Sequence, residues 1–447
     1  MENLAKYKLG YIAYIIGGVA YNPADICDNG IRILRGGNIQ NKAIVTKSDD
    51  VFLPLEYSNG ENQIQVGDTI LVASTGSVEV LGKAATCFSD LPNTQIGAFI
   101  RIVRPKRPEY AMLISIALTS DYFARYIKAQ AKGTSINNIT IGYLKDFNIM
   151  CPHSFEPICS LYSKIEAKIA LNREINRNLE AMARQLYDYW FVQFDFPDSD
   201  GKPYKSSGGK MVWNDKLKRE IPVEWADTTI SDYAVIQNGA TPSTADDKNY
   251  NGDIVWITPK DLSDQAQKFT FHGERLITKN GYDSCSTTLL PIGTILMSSR
   301  APIGLLSIAA VELCTNQGFK SLIPKRKQFS HFLYYLVEQY MPVIKQLGSG
   351  TTFSEVSKDG LSKLCVPLIP LKVIKEWDKI AEPIFLRQKQ LLKEIATLAA
   401  QRDELLPLLM NGQVSVRPTG LNCDLSFMYR PVESSCRMIR RIGADGM

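Results

Sequence analysis

Through most of the chain, hydrophobic and polar positions alternate in short runs, and then the period changes twice. Thr69–Ala73, Phe99–Val103, Ile254–Ile257 and Thr294–Met297 are β-branched and aromatic runs separated by Gly, Pro and Asn turns, the pattern of strands in an α/β region. From Ile158 the spacing becomes helical. Ile158, Ile165, Asn172, Leu179 and Leu186 recur every seven residues, with Leu161, Ile175, Met182 and Tyr189 in complementary positions. Trp377, Ile384, Leu391, Leu398 and Leu405 form a second such series, accompanied by Ile374, Ala381, Gln388 and Ile395. Both predict long helices with a coiled-coil seam. Some 30 residues of helix span roughly 45 Å, so two packed together make a spacer. Asn172 and Gln388 bring amides into the seam, where they either fix register or lie partly exposed. Pro197, Gly201 and Pro203 stop the first helix, and Pro407 and Gly412 the second.

The two halves run in parallel at an offset of roughly 215 to 226 residues. GTSINNITIGYLKDFNIMCP from Gly133 lines up with GTTFSEVSKDGLSKLCVPLIP from Gly350. VGDTILVAST (Val66–Thr75) matches IGTILMSSR (Ile292–Arg300), so that Arg300 replaces Thr75. NTQIG at Asn93 resembles TNQGF at Thr315, and GIRILRGGNI ending at Ile39 sits opposite DIVWITPKDL ending at Leu262. LGYIAYIIGG at Leu9 superficially resembles an export signal behind Lys6 and Lys8, but it matches ISDYAVIQNGA at Ile230 and is read as part of a domain.

At 447 residues the chain is long enough for at least two cores, and 45% hydrophobic with 22% charged residues is the balance of a folded soluble protein. A net charge of +5 is compatible with a polyanionic partner without requiring one. Nine single cysteines without a C-x-x-C pair indicate neither a disulfide framework nor a thiolate zinc site, and fit a reducing cytoplasm. No apolar run reaches the eighteen or so residues of a membrane span.

Several enzyme classes lack their signatures. A methyltransferase would carry an N/D-P-P-Y/F motif, but Asn22-Pro23 is followed by Ala24-Asp25, and no glycine-rich cofactor loop is present. Pro197-Asp198 with Lys202 is a weak echo of a nuclease motif inside a turn-rich segment. Gly82-Lys83 and Gly209-Lys210 are not set in a phosphate-binding loop, and His153, His272 and His331 are too dispersed for a metal cluster.

The order of α/β region, helix, aromatic hinge, α/β region and helix resembles that of type I restriction-modification specificity subunits, over residues 1 to about 417. QLYDYWFVQFDFP at Gln185 resembles the family's central conserved region, and RDELLPLLMNGQVSV at Arg402 its distal one. NGATPSTADD at Asn238 with WITPKDL at Trp256 resembles the opening of a recognition domain. The first half has GGVAYNPAD where the second has G-x-T-P-S, and the tail beyond Pro418 matches nothing in the family.

The resemblance implies an α+β chain: two α/β target-recognition domains in pseudo-twofold repeat, separated by two long antiparallel coiled-coil helices. The expected boundaries are 1–153 for the first recognition domain, 154–194 for the central helix and 195–222 for a polar link. The second recognition domain is expected at 223–370, the distal helix at 371–412 and an unassigned tail at 413–447. Each domain would read half of a split, asymmetric duplex target, and the helices would set the gap and dock two modification subunits. Restriction subunits are further implied partners. The chain itself would bind no cofactor, since S-adenosylmethionine, ATP and Mg would belong to partner subunits, and it would work in the cytoplasm.

Arg and Lys suit guanine, Asn and Gln suit adenine, and Ser and Thr serve base edges or phosphates. On that ground the candidate DNA-binding residues of the first half are Arg32, Arg35, Asn38, Ser74, Thr75, Asn93, Gln95, Lys132, Thr134 and Ser135. Those of the second are Thr241, Ser243, Lys260, Asp261, Ser298, Ser299, Arg300, Asn316, Gln317, Lys345, Thr351 and Thr352. Asn93, Gln95, Asn316 and Gln317 could equally bond their own loops, and the Gly-Thr pairs could be helix-ending turns. The cluster Tyr187, Tyr189, Trp190, Phe191, Phe194 and Phe196 suits packing at a hinge or subunit interface better than single-strand stacking. Two other readings stand beside DNA specificity: a coiled-coil scaffold without DNA preference, and a fused restriction enzyme or methyltransferase.

Overall fold

The computed structural model describes residues 4–47, 49–77, 79–130, 137–300, 302–348 and 355–416. The chain is α+β and divides into two units, residues 1–169 with 397–447, and residues 170–396.

The first unit is centred on a four-stranded antiparallel sheet in the order Ala13–Gly17, Ile100–Pro105, Thr69–Val72, Ala84–Thr86. Thr69–Val72 is buried throughout, so it reads as a continuous apolar run and not as an alternation. Helix Tyr110–Leu118 covers the sheet, bringing Leu113, Ile114 and Leu118 against Leu71 and Val103. A smaller sheet, Thr94–Ile96, Ile31–Leu34, Val51–Leu53, pairs its first two strands in parallel. Leu4–Lys8 with Asn148–Pro152 closes the region just before the first long helix, Glu156–Tyr187.

The second unit repeats this plan. Its main sheet has five strands, Ala234–Asn238, Phe319–Pro324, Ile295–Ser298, Leu306–Ala309 and Phe269–Thr270. Its small sheet, Arg275–Ile277, Tyr250–Ile257, Cys314–Thr315, again contains one parallel pair. Ala226–Thr229 with Cys365–Leu368 leads into the second long helix, Leu371–Met410.

The repeat holds at the level of single backbone hydrogen bonds. Leu9 N–H to the Phe147 carbonyl (2.8 Å) answers Ile230 to Leu364 (3.0 Å), and Lys106 to Ile12 (2.8 Å) answers Lys325 to Tyr233 (2.8 Å). Gly67 to Cys87 (2.8 Å) answers Gly293 to Ala309 (2.9 Å). Those two glycines have φ of +94° and +88°, so one turn that needs glycine is used twice.

Two pairings read from the sequence shift. Ile139 and Val356 donate to the carbonyls of Ala73 and Ser299, which makes Ser299 the counterpart of Ala73 and sets Arg300 opposite Ser74 instead of Thr75. In the parallel strands Ile96 pairs with Leu34 as Thr315 pairs with Ile257, so the counterpart of Thr315 is Ile96 and not Asn93, and that of Asn316 is Gly97. Connections between the strands differ in length, and local likeness slips across them.

Residues 195–222, expected as a polar link, are folded. Asp195 accepts from Ser206 N–H and Oγ–H at 2.7 and 2.6 Å, and Met211–Asn214 pairs with Arg219–Pro222 in a hairpin. The preceding helix ends in a π turn at Asp188–Val192. Tyr187, Trp190, Phe191, Phe194 and Phe196 are buried with Trp225, Phe332 and Trp377 in the core of the second unit, while Tyr189 is exposed. The five buried rings belong to that core and offer no stacking platform. No helix among the described residues is long and apolar enough to cross a membrane.

The long helices meet antiparallel. Ile374, Ala381, Gln388, Ile395, Arg402 and Leu409 are all buried, whereas Leu398 is half-buried and Leu405 exposed. On the first helix the buried line includes Tyr162, Glu166, Ile169, Asn172, Ala183 and Tyr187, and Met182, expected in the seam, is exposed. Arg402 binds Glu166 at 2.6 Å in the first unit, and Gln388 donates to Glu180 at 3.0 Å in the second. The two contacts share one register, since Glu180 lies as far beyond Glu166 as Gln388 lies before Arg402.

Candidate nucleic-acid interface

In each unit four loops converge where strands of the two sheets end. In the second, Ala240 N–H reaches the Thr315 carbonyl (2.9 Å), Asn316 N–H that of Ile257 (3.0 Å), and Ser299 N–H that of Gly318 (2.8 Å). In the first, Val19 reaches Ile96 (2.8 Å), Gly97 reaches Leu34 (2.9 Å) and Ala73 reaches Phe99 (2.9 Å). Close approach makes glycine necessary at the first loop of each set. A Cβ on Gly239 would lie 2.2 Å from the Asn316 carbonyl oxygen, and one on Gly18 2.1 Å from that of Gly97.

Several candidates turn inward and shape these loops. Asn38 is buried, accepting from Arg35 N–H (2.8 Å) and donating to Val45 O (2.9 Å) and Asp50 (2.5 Å). Asp261 holds the same place, accepting from Thr258 N–H (2.7 Å) and Glu274 N–H (2.6 Å). Ser298 and Ser299 are fully buried; their hydroxyls donate to the Pro302 and Gly318 carbonyls at 2.6 and 3.2 Å. Gln95 is buried, with its amide facing the Tyr57 carbonyl and Asn59 N–H. These five are corrected from readers to scaffolding, because their polar groups are already matched inside the fold.

Others are displaced from the loops. Arg32 is drawn back to Asp50 (3.3 Å) and over the Phe52 ring (5.2 Å). Asn93, with φ of +49°, occupies a turn at the opposite end of its strand from Gly97.

The exposed set is smaller. Arg35 is exposed, its Nη2 donating to the Asp49 carbonyl at 3.3 Å. Ser74 and Thr75 form a short ladder with Asn137–Asn138. Thr241 bonds Gln317, which is exposed; Asn316 takes Gly318 N–H at 2.9 Å; and Ser243 is exposed. Lys260 pairs with Glu274 at 2.9 Å, which raises its pKa, and Lys345 lies beside Gly304. Arg300 is half-exposed and binds Glu355 at 3.1 Å. Lys132, Thr134, Ser135, Thr351 and Thr352 lie outside the described residues.

Residues 222–405 match the family model described as "Type I restriction modification DNA specificity domain". The MjaIX specificity subunit of Methanocaldococcus jannaschii is 39% identical over 164 residues, which cover 35% of this chain and 38% of that one. The HindI specificity subunit of Haemophilus influenzae is 25% identical over 382 residues, 73% of this chain and 82% of its own. The type I restriction-modification S subunit from M. genitalium shares the fold, with a TM-score of 0.53 at 14% identity over 93% of this chain and 97% of that one. Residues 222–405 are thus similar to the type I restriction-modification specificity domain, and the chain as a whole is similar in sequence and fold to specificity subunits.

Three further groups lie at these loops. Lys320, buried, reaches Glu355 at 3.1 Å and the Ser299 hydroxyl at 3.5 Å. Burial alone would raise the Glu355 carboxyl, but hydrogen bonds from Lys320 and Arg300 outweigh it and hold that pKa below its ordinary value. Phe99, two-thirds exposed, projects from the equivalent loop of the first unit. Lys320, Glu355 and Phe99 escaped the sequence reading, since each lies in a run that looks like strand or turn. Aligning the repeats strand by strand is the signal that finds the first, because Lys320 stands at the place of Arg101.

Proposed function

We propose that the two loop clusters each read one half of an asymmetric, bipartite duplex sequence, and that the chain carries this specificity to two modification subunits. Restriction subunits complete the assembly. The catalytic work, with S-adenosylmethionine, ATP and Mg, falls to those partners in the cytoplasm. The observation that carries this reading is that one backbone scaffold, bond for bond, presents different side chains in the two repeats. A protein-only scaffold gives no reason to vary the very residues that suit base edges while keeping the frame.

Single-molecule sequencing of adenine methylation tests it, in cells expressing the chain with its neighbouring modification subunit. A split, asymmetric motif should appear and vanish when this gene alone is deleted. Methylation indifferent to the deletion overturns the proposal.

A further inference from the structure

One position in the repeat carries opposite chemistry in the two units. Ala73 and Ser299 are equivalent, because each accepts a backbone bond from the segment that enters the last short helix of its region: Ile139 at 2.7 Å, Val356 at 3.0 Å. The flanking residues consequently face each other. In the first unit they are Ser74 and Asn138, which are ladder partners and uncharged. In the second they are Arg300 and Glu355, joined at 3.1 Å.

The second pair is built on a deeper support. Lys320 is buried beneath it and holds the other carboxylate oxygen of Glu355 at 3.1 Å, leaving the first for Arg300. The counterpart in the first unit, Arg101, instead turns Nη1 to the carbonyls of Ala98 and Ile100 at 2.7 and 2.9 Å. The trio Arg300, Glu355 and Lys320 holds one net positive charge. Among the described residues, only Nη2 of the half-exposed Arg300 guanidinium is engaged. A guanidinium has five N–H donors in a rigid plane, so one edge pinned by a carboxylate leaves another for two parallel bonds. Guanine, with O6 and N7 side by side in the major groove, is the base edge that accepts such a pair.

We propose that Arg300 reads a guanine in the half-site contacted by the second unit, with Glu355 as its positioning residue and Lys320 as the buried anchor of that carboxylate. The inference rests on the bipartite reading above and names the base class for one of its positions. Serine and asparagine at the matching place in the first unit cannot supply this contact, so the position distinguishes the two half-sites.

The test is the methylation motif of cells carrying the full chain with its modification subunit, for the parent, Arg300→Ser, Arg300→Ser with Glu355→Asn, Glu355→Gln and Glu355→Asp. One half-site of the parent motif should contain a required G·C pair. Both serine variants should make that single position degenerate, with discrimination reduced about 5- to 150-fold, the equivalent of 1–3 kcal/mol, while the other half-site and the gap stay unchanged. Glu355→Gln should weaken the same position and Glu355→Asp should restore it, which a purely structural role would not do. Arg300→Ser alone leaves the Glu355 and Lys320 pair intact and serves if the double variant fails to fold. A motif unaltered by Arg300→Ser, or altered equally in both halves, overturns this inference alone. If no motif depends on the chain, the bipartite reading falls and takes this inference with it.

Discussion

Asn38 and Asp261 show how a polar residue at a turn divides its work. Both close the same short turn by accepting a backbone N–H three residues back, at 2.8 and 2.7 Å. The amide of Asn38 then donates to Asp50, whereas the carboxylate of Asp261 accepts from Glu274 N–H. Removing a buried acceptor leaves its donors unsatisfied, at about 1–3 kcal/mol. Asp261→Ala should therefore lower the thermal midpoint by several degrees, at about 2–4 °C per kcal/mol for a unit of this size, with the bases read unchanged. Asp261→Asn, which keeps one acceptor oxygen for Thr258, should lose less. Calorimetry beside the methylation motif checks both, and a specificity change at unchanged stability would return Asp261 to the readers. The sequence shows an Asn or Asp at a turn but not its direction. An inward side chain bonding its own loop and an outward one facing DNA have the same composition and spacing, so exposure had to decide.

At the scale of elements the long helices were legible by period, but their faces were less so. Ile374, Trp377, Ala381 and Leu391 of the expected seam are buried, as is Ile158 on the first helix. A hydrophobic stripe misses the rest because much of the interface is polar. Glu166 meets Arg402, and Glu180 meets Gln388 and Lys268, so charged residues that a pattern search sends to solvent lie inside. Lys268 is boxed by Phe385, Tyr335 and Tyr334 at 4.0 to 4.9 Å, and burial pulls it down to about 8 despite the adjacent Glu180. The two seam amides differ. Gln388 is satisfied by Glu180 and Lys268, whereas neither polar atom of the buried Asn172 has a hydrogen-bond partner among the described residues. An orphaned amide is better replaced by a hydrocarbon of its size, and a satisfied one is not. Asn172→Leu should accordingly raise the thermal midpoint and Gln388→Leu should lower it, by about 1–3 kcal/mol, the second because it strips partners from a buried ion pair. Equal destabilisation by both would show that Asn172 has a partner in solution, and would assign it a pairing role in the assembly.

For the whole molecule, the repeat and its order were readable because tandem halves preserve turn glycines, buried strands and helix periods. What slipped was the alignment within loops, by one residue at Arg300 and by more at Asn93, since connections of different length carry no periodic constraint. The helices bear on specificity differently from the loops. Each passes through both units, and Glu166–Arg402 and Glu180–Gln388 obey a single antiparallel register. Shortening one helix alone must break one of these contacts, and should yield a misfolded or aggregating chain. Removing matched heptads from both helices keeps the register and, because seven residues make just under two turns, nearly keeps the buried faces. The helix pair then loses about 10 Å, up to about three base pairs of duplex at 3.4 Å each. Under the bipartite reading, such a chain should methylate the same two half-site sequences across a shorter gap. If the matched deletion folds and the gap stays as it was, the helices do not set the spacing, and that role passes to the partner subunits.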